Sequence, residues 1–498
     1  MTAGLRPGAD VTPVAHPPVQ RVGRSLKSAC VFGIGMALQR GVAFLLLPLY
    51  TRALTPAEYG TLSVLLAAGA AASILFGCGL DMGLFRSFFL YADDPRRKRD
   101  FLGSIWRFLI VAPFGASIVC AAIAVPLLAG TTRFTPLEVL LALLAGAFYV
   151  GASAVPLVIL RVEQRLRDFM TLSIVYAVAT PMLTVLLVVW QHDGIAGWLI
   201  AAVGSNAILL FAATRIVPWD RGARYSGDLV RAAVRFGATL IPHAFALWAL
   251  LLIDRAVLAG LVPARELGIY SLAASIGVPV AIAVQSLNQA MMPAYANAGI
   301  NPGQRDHLAD LIVVQITSVL AICLAGALLG GPLLQVMAPT AYDSAAPLVA
   351  WIVLGYAFLG LYFVPMNGIT LGAGRSGFVW IVSALGAASN VGLLVIFVPH
   401  GGITAAAIAS AAAYLVLLVG IVVYARRPEN PVRYRWSQLA PAGVVAGAVY
   451  VGARLTTPET GASSLAVRGT WIAVFLLTCA AGYRLRFRRT ASPGVARA

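Results

Sequence analysis

Apolar runs of about twenty residues, the length a helix needs to cross a bilayer, follow one another from residue 25 to residue 483 with short polar breaks between them. They fall near 25–50, 61–90, 101–129, 137–160, 169–190, 195–217, 229–262, 267–298, 308–336, 346–372, 377–398, 403–424, 438–455 and 467–483. A chain written this way must close its backbone hydrogen bonds within each segment, because lipid offers no partner for a free N–H or C=O. Composition agrees. The 498 residues are 60% hydrophobic and 11% charged, with a mean hydropathy of +0.87. A soluble fold of this size could not bury that much apolar surface. The expected class is an all-α polytopic membrane protein with about fourteen transmembrane helices.

Charge sets the expected orientation. The net charge of +17 would point to nucleic acid in a soluble protein, but here it reads as loop anchoring and no nucleic-acid partner is expected. With the N-terminus inside, 29 of the 36 Lys and Arg residues fall on one set of loops and flanks, 6 on the other, and Arg40 on neither. That asymmetry follows the positive-inside bias and predicts a multi-pass protein of the cell membrane with both termini cytoplasmic. Residues 1–24, rich in proline and carrying Arg6, Arg21 and Arg24, read as a cytoplasmic tail.

Several chemistries find no support. The five cysteines sit in apolar segments without CxxC spacing, and the five histidines form no HxxxH pair, so neither a metal nor another cofactor is expected. GxxxxGK[ST], GxSxG and HExxH are all missing from the sequence. No outer loop exceeds about 15 residues on this reading of the spans, which favours transport over an enzyme.

The chain also repeats itself. "AEYGTLSVLLA" (57–67) matches "RELGIYSLAAS" (265–275), with Glu58 on Glu266, Gly60 on Gly268 and Ser63 on Ser271. "DGIAGWLIA" (193–201) matches "GGITAAAIA" (401–409), with Gly194 on Gly402, and Arg167 falls on Arg375. Every pair is 208 residues apart. Six helices, an even number, fill that offset, so the halves keep one orientation and form a parallel repeat about the membrane normal. The expected division is a tail at 1–24, a six-helix lobe at 25–217, a linker at 218–228, a second six-helix lobe at 229–424, and two extra helices with a basic tail at 425–498. A cleft between such lobes is where transporters place their substrate.

Ionisable and amide groups inside the spans are the candidate site residues, because burying them in lipid is costly without a function or a partner. Arg40 lies 13 residues after Lys27 and 12 before Arg52, roughly 18–20 Å from either end of its span. It faces either a water-filled substrate cavity or a structural partner, Asp81 or Asp254. Asp254 and Arg255 sit in the outer part of the seventh span; as neighbours on a helix they are expected to point apart, and both fit an interfacial position. Arg86 serves equally as a positive-inside anchor or a ligand. Gln285, Asn288 and Gln289 share one helical face, suited either to sugar hydroxyls or to bonding between helices. Asn367 and Asn390 look isolated. Prolines at Pro48, Pro156, Pro181, Pro242, Pro279, Pro293 and Pro365 should bend their helices.

These features bring out a family resemblance. "LPLYTRALTPAEYGTLSVLLA" (47–67), "LLIDRAVLAGLVPARELGIYSLA" (251–273), "MMPAYA" (291–296) and above all "LGAGRSGFVWIVSALGAASNVGLLVIFVPHGGITAAAIASAAAYLV" (371–416) resemble the polysaccharide-transport branch of the multidrug/oligosaccharidyl-lipid/polysaccharide exporter superfamily. The likeness covers about residues 25–425. It implies a flippase that moves a polyprenyl-pyrophosphate-linked oligosaccharide to the outer leaflet for surface polysaccharide synthesis. It leaves room for a coupling ion, H+ or Na+, and for a polysaccharide polymerase as partner alongside the membrane lipids. On that reading Arg40 would offer its planar fork to the pyrophosphate. The rival readings are a lipid II flippase, which the arginines Arg40, Arg52 and Arg86 keep open, a cation-coupled drug exporter of the same superfamily, and a scaffold without transport.

Overall fold

A computed structural model of the chain describes residues 35, 38, 41, 44–91, 94–128, 133–217, 219, 222–373, 379–426, 436–456 and 462–490. Arg40, Arg375 and the tail at 1–24 lie outside these residues. The described elements are all helical, with no strand among them. They are α1 (Leu47–Ala53), α2 (Pro56–Gly77), α3 (Leu80–Leu90), α4 (Pro95–Leu128), α5 (Pro136–Tyr149), α6 (Val155–Val162), α7 (Leu166–Thr184) and α8 (Gly194–Ile216). There follow α9 (Gly227–Ala238), α10 (Ile241–Leu261), α11 (Ala264–Ile300), α12 (Arg305–Met337), α13 (Ala346–Asn367), α14 (Val379–Ala425), α15 (Trp436–Thr456) and α16 (Ala462–Thr490).

Ten helical stretches among the described residues are long and apolar enough to cross a membrane. The expected run at 25–50 lies largely outside the described residues. The run at 61–90 breaks at Cys78 and Gly79, both in the left-handed region at φ 48° and 65°, into α2 and α3. The run at 229–262 breaks at Thr239 and Leu240, with Pro242 opening α10, where its missing N–H costs nothing. Two other expected runs, 377–398 and 403–424, form the single stretch α14. Forty-seven residues in one rod would measure roughly 70 Å, against a hydrocarbon core of about 30 Å. The stretch turns instead at Gly402, whose φ of 56° and ψ of −148° suit glycine alone.

Proline leaves a signature too. Pro156 follows a π-helical turn at Val150–Ala154, a second such turn (Val185–Trp190) follows Pro181, and a third (Gly368–Gly372) follows Pro365. A proline removes one i→i−4 bond, and the wider turn absorbs the misfit without ending the helix.

Two apolar cores carry most of the packing. One is built from residues between Leu54 and Ala233, among them Phe101, Ile105, Ile159 and Phe169. The other runs from Leu250 to Ala425, joined by Leu47 of α1. Helix α9 follows the connection between the two sets, yet Leu229, Val230 and Ala233 belong to the first core. A smaller cluster joins α12 to α15 and α16 through Leu324, Leu328, Val449 and Phe475.

Candidate functional site

The two cores meet along α2 and α11. Gly60 and Gly268 bring the backbones together: a Cβ on Gly60 would lie 2.3 Å from the Ala264 carbonyl oxygen, and one on Gly268 would lie 1.7 Å from that of Pro56. One turn further, Ser63 Oγ and Ser271 Oγ are 2.8 Å apart. These glycines and serines are the very residues that match at the 208-residue offset. Glu58 also lies beside Gly194 (φ 55°), as Glu266 does beside Gly402 (φ 56°), so one local arrangement occurs twice.

More bonds cross at this end. Thr51 Oγ1 donates to the Met337 carbonyl at 3.1 Å, and Tyr342 Oη to that of Leu54 at 3.3 Å. Tyr59 Oη and Ser275 Oγ are 3.0 Å apart. Arg133 caps the end of α10 by donating to the carbonyls of Ala259 and Val262. Deeper along α2, Trp248 Nε1 donates to the Ala67 carbonyl at 3.1 Å.

Beside this contact lies a cavity of about 290 Å³ between the halves. Tyr50 and Tyr59, Ser63, Trp198 of α8, Arg255 of α10 and Ser275 of α11 line it, among aliphatic side chains. Arg255 supplies its cation. It is buried, and its Nη1 donates to Asp254 Oδ1 at 3.1 Å and to the Leu251 carbonyl at 3.0 Å. Asp254 also accepts the Arg255 backbone N–H on Oδ1, at 2.9 Å, and the Tyr270 hydroxyl on Oδ2. Tyr270 lies 3.2 Å from Ser410 Oγ, which reaches Asn390 Oδ1 at 3.5 Å. A buried charge without a partner would cost several kcal/mol. This chain of groups from α10, α11 and α14 supplies the partners and fixes where Arg255 stands.

Two expectations change. Asp254 and Arg255 do not point apart to an interface: both are buried, and the long arginine side chain curls back along its own helix to meet its neighbour. Asn367 and Asn390 are not isolated either. Asn367 Nδ2 donates to Asn288 Oδ1 at 2.7 Å, pairing α13 with α11.

The amide face of α11 divides by depth: Asn288 is buried, Gln285 half-buried and Gln289 exposed. Asp81 opens α3, half-buried. Arg86 follows on the same helix, with its side chain outside what is described. Tyr59, Ser63, Trp198, Tyr270, Ser271, Ser275 and Ser410 were not anticipated as members of this region. Ser63 and Ser271 were already marked as a repeat pair, and a small polar residue at matched positions was the available signal.

Sequence and fold comparisons agree on the kind of molecule. A family model described as "Polysaccharide biosynthesis protein" matches residues 25–298. No curated protein matches the chain by sequence. A solved structure of the lipid II flippase MurJ, in an inward closed conformation, superposes with a TM-score of 0.70 at 13% identity, over 92% of this chain and 99% of that one. An inward-facing multidrug resistance MATE family transporter of the MOP superfamily gives 0.64 at 12% identity, over 81% and 98%. The MATE multidrug transporter DinF-BH, in complex with R6G, gives 0.56 at 18% identity, over 83% and 96%.

Proposed function

The chain belongs to the polysaccharide biosynthesis protein family, a transporter family within the multidrug/oligosaccharidyl-lipid/polysaccharide exporter superfamily, and on that premise we propose that it flips a polyprenyl-pyrophosphate-linked oligosaccharide across the cell membrane. The observation that carries this reading is Arg255, a fixed guanidinium on the wall of a cavity between the two halves, among tyrosine and serine hydroxyls. A permanent cation suits phosphate oxygens, and hydroxyls suit the first sugar. Arg40, near the middle of its apolar run in the sequence, would serve as a second cation for the same headgroup, and Gln285 and Gln289 would serve the sugars. Residues 25–217 and 229–424 act as two parallel lobes that rock about the cavity, with both termini in the cytoplasm. Cargo passes between them while its polyprenyl tail stays in lipid.

The test is export of surface polysaccharide in a strain stripped of its own flippase. Asp254→Asn combined with Arg255→Gln, which removes both buried charges together, should abolish export at normal protein abundance, and Arg255→Lys should keep part of it, since charge survives but the fork does not. Full export by the double variant would end this reading. Rescue of a lipid II flippase mutant, or drug resistance without polysaccharide export, would hand the chain to one of its rivals. Reporter fusions at Asp94 and at the C-terminus should face inward, and those at Asp193 and Asp343 outward.

A further inference from the structure

Helices α12, α13 and α15 enclose a second hollow, of about 370 Å³, which shares no lining residue with the cavity beside Arg255. Leu320, Ala327, Trp351, Leu354 and Tyr450 are among its walls, and Gly443 and Gly447 of α15 lie along it. Trp351 and Leu354 are 40% and 38% exposed, so the hollow opens toward the membrane. A Cβ added at Gly443 or Gly447 would meet nothing within 4 Å. Glycine in a membrane helix ordinarily lets another helix approach. No described residue comes that close to these two, and what they leave is a smooth apolar channel.

The end of the channel is cationic. Arg454 stands one turn beyond Tyr450 on α15, and Arg468 of α16 lies within electrostatic range of both. Arg468 Nη1 donates to the Leu328 carbonyl on α12, while its Nε is buried with no hydrogen-bond partner among the described residues. No ion pair joins either arginine to an acid among the described residues. An apolar channel capped by two guanidinium groups matches a lipid with a charged phosphate head.

We propose that this hollow is a binding site for one anionic phospholipid, with an acyl chain along Gly443 and Gly447 and its phosphate at Arg454 and Arg468. From Gly443 to Tyr450 the channel follows roughly 10 Å of helix, within the depth of a single leaflet. That suits an acyl chain better than a long polyprenyl tail.

The experiment uses the full chain, purified and delipidated, with native mass spectrometry as the readout. It is titrated with phosphatidylglycerol, with phosphatidylcholine for comparison. One phosphatidylglycerol should bind, and more tightly than phosphatidylcholine. The pair Arg454→Gln with Arg468→Gln should weaken it about thirtyfold. Gly447→Leu should abolish it, because leucine would occupy the channel. Its unfolding temperature should stay at the parent value, since the added side chain enters open space; Gly443→Leu repeats the test should Gly447→Leu prove unstable. Glu459→Gln, in the connection outside the described residues, should leave binding equal or tighter. Asp254→Asn with Arg255→Gln should bind lipid normally, which separates this site from the proposed transport site. Undiminished binding in the arginine pair or in both leucine variants overturns the proposal, as does loss in Glu459→Gln or in the Asp254→Asn/Arg255→Gln variant. Undecaprenyl phosphate displacing phosphatidylglycerol at equal concentration would make the channel a cargo-tail site and overturn it as well.

Discussion

Two helix pairs bring the earlier and later parts of the chain into backbone contact, and they do it differently. At α2/α11 the glycines Gly60 and Gly268 are flanked by hydroxyls, with Ser63 on Ser271 and Tyr59 on Ser275. At α3/α9 the approach is backbone to backbone: a Cβ on Gly237 would fall 2.1 Å from the Gly79 carbonyl oxygen, and one on Gly83 would fall 2.3 Å from that of Ala233. Both rely on van der Waals contact that only glycine permits. The difference lies in what separation would leave behind. Hydroxyls released at α2/α11 can take water as a new partner, so that contact can part and re-form at modest cost. Among the described residues the α3/α9 glycines meet backbone and no hydroxyl pair joins the two helices, and α9 is bound into the first core by Leu229, Val230 and Ala233. The first contact has the character of a latch and the second that of a weld.

The comparison breaks most easily at the glycines. Gly268→Val and Gly237→Val should each destabilise the protein by about 3 kcal/mol or more, read as loss of folded protein in detergent and a lowered Tm. Gly447→Val, which enters open space, should change little. A valine tolerated at Gly268 would show that the close approach is not required.

A disulfide tests the latch itself. Ser63→Cys with Ser271→Cys should cross-link under oxidation, since the native oxygens are only 2.8 Å apart. The link should stop export completely while leaving abundance unchanged, and reductant should restore it. Full export by the cross-linked protein would mean that this contact never opens.

Asp254→Asn sharpens the contrast between a held cation and a free one. Removing the carboxylate charge leaves Arg255 buried and unpaired, a loss of roughly 3–5 kcal/mol. A second change, Arg255→Gln, should recover most of the stability but not export.

The smallest effect belongs to the serine pair. Ser63→Ala and Ser271→Ala in a double-mutant cycle should give a coupling near 0.6 kcal/mol, about the average for bonds between membrane helices. A coupling indistinguishable from zero would reduce the latch to its glycines.

Much of this was legible in the sequence, for physical reasons. Apolar runs of membrane-spanning length announce helices directly. The matched pairs Gly60/Gly268 and Ser63/Ser271 could be aligned before any coordinates, although their mutual contact could not be read from alignment. The break at Gly79 was written in the sequence as a glycine, but a single glycine inside an apolar run does not distinguish a packing site from a turn. The pairing of Asp254 with Arg255 was missed because helical periodicity describes where Cβ atoms point and not how far a long side chain can curl. Tyr270 and Ser410 reach Asp254 from other helices, and no periodicity in one segment reports on that. The split of Gln285, Asn288 and Gln289 by depth has the same origin: Asn288 is buried against Asn367, 79 residues away.

The turn at Gly402 carries a consequence for how the protein is made. Both legs of α14 are apolar, and nothing but Pro399, His400 and Gly401 precedes the reversal. So short a connection gives the emerging chain no slack to seat one leg and wait for the next. Such a geometry suits entry of the two legs together as a hairpin, which would bring Ser410 back toward Asn390, its partner in the folded structure.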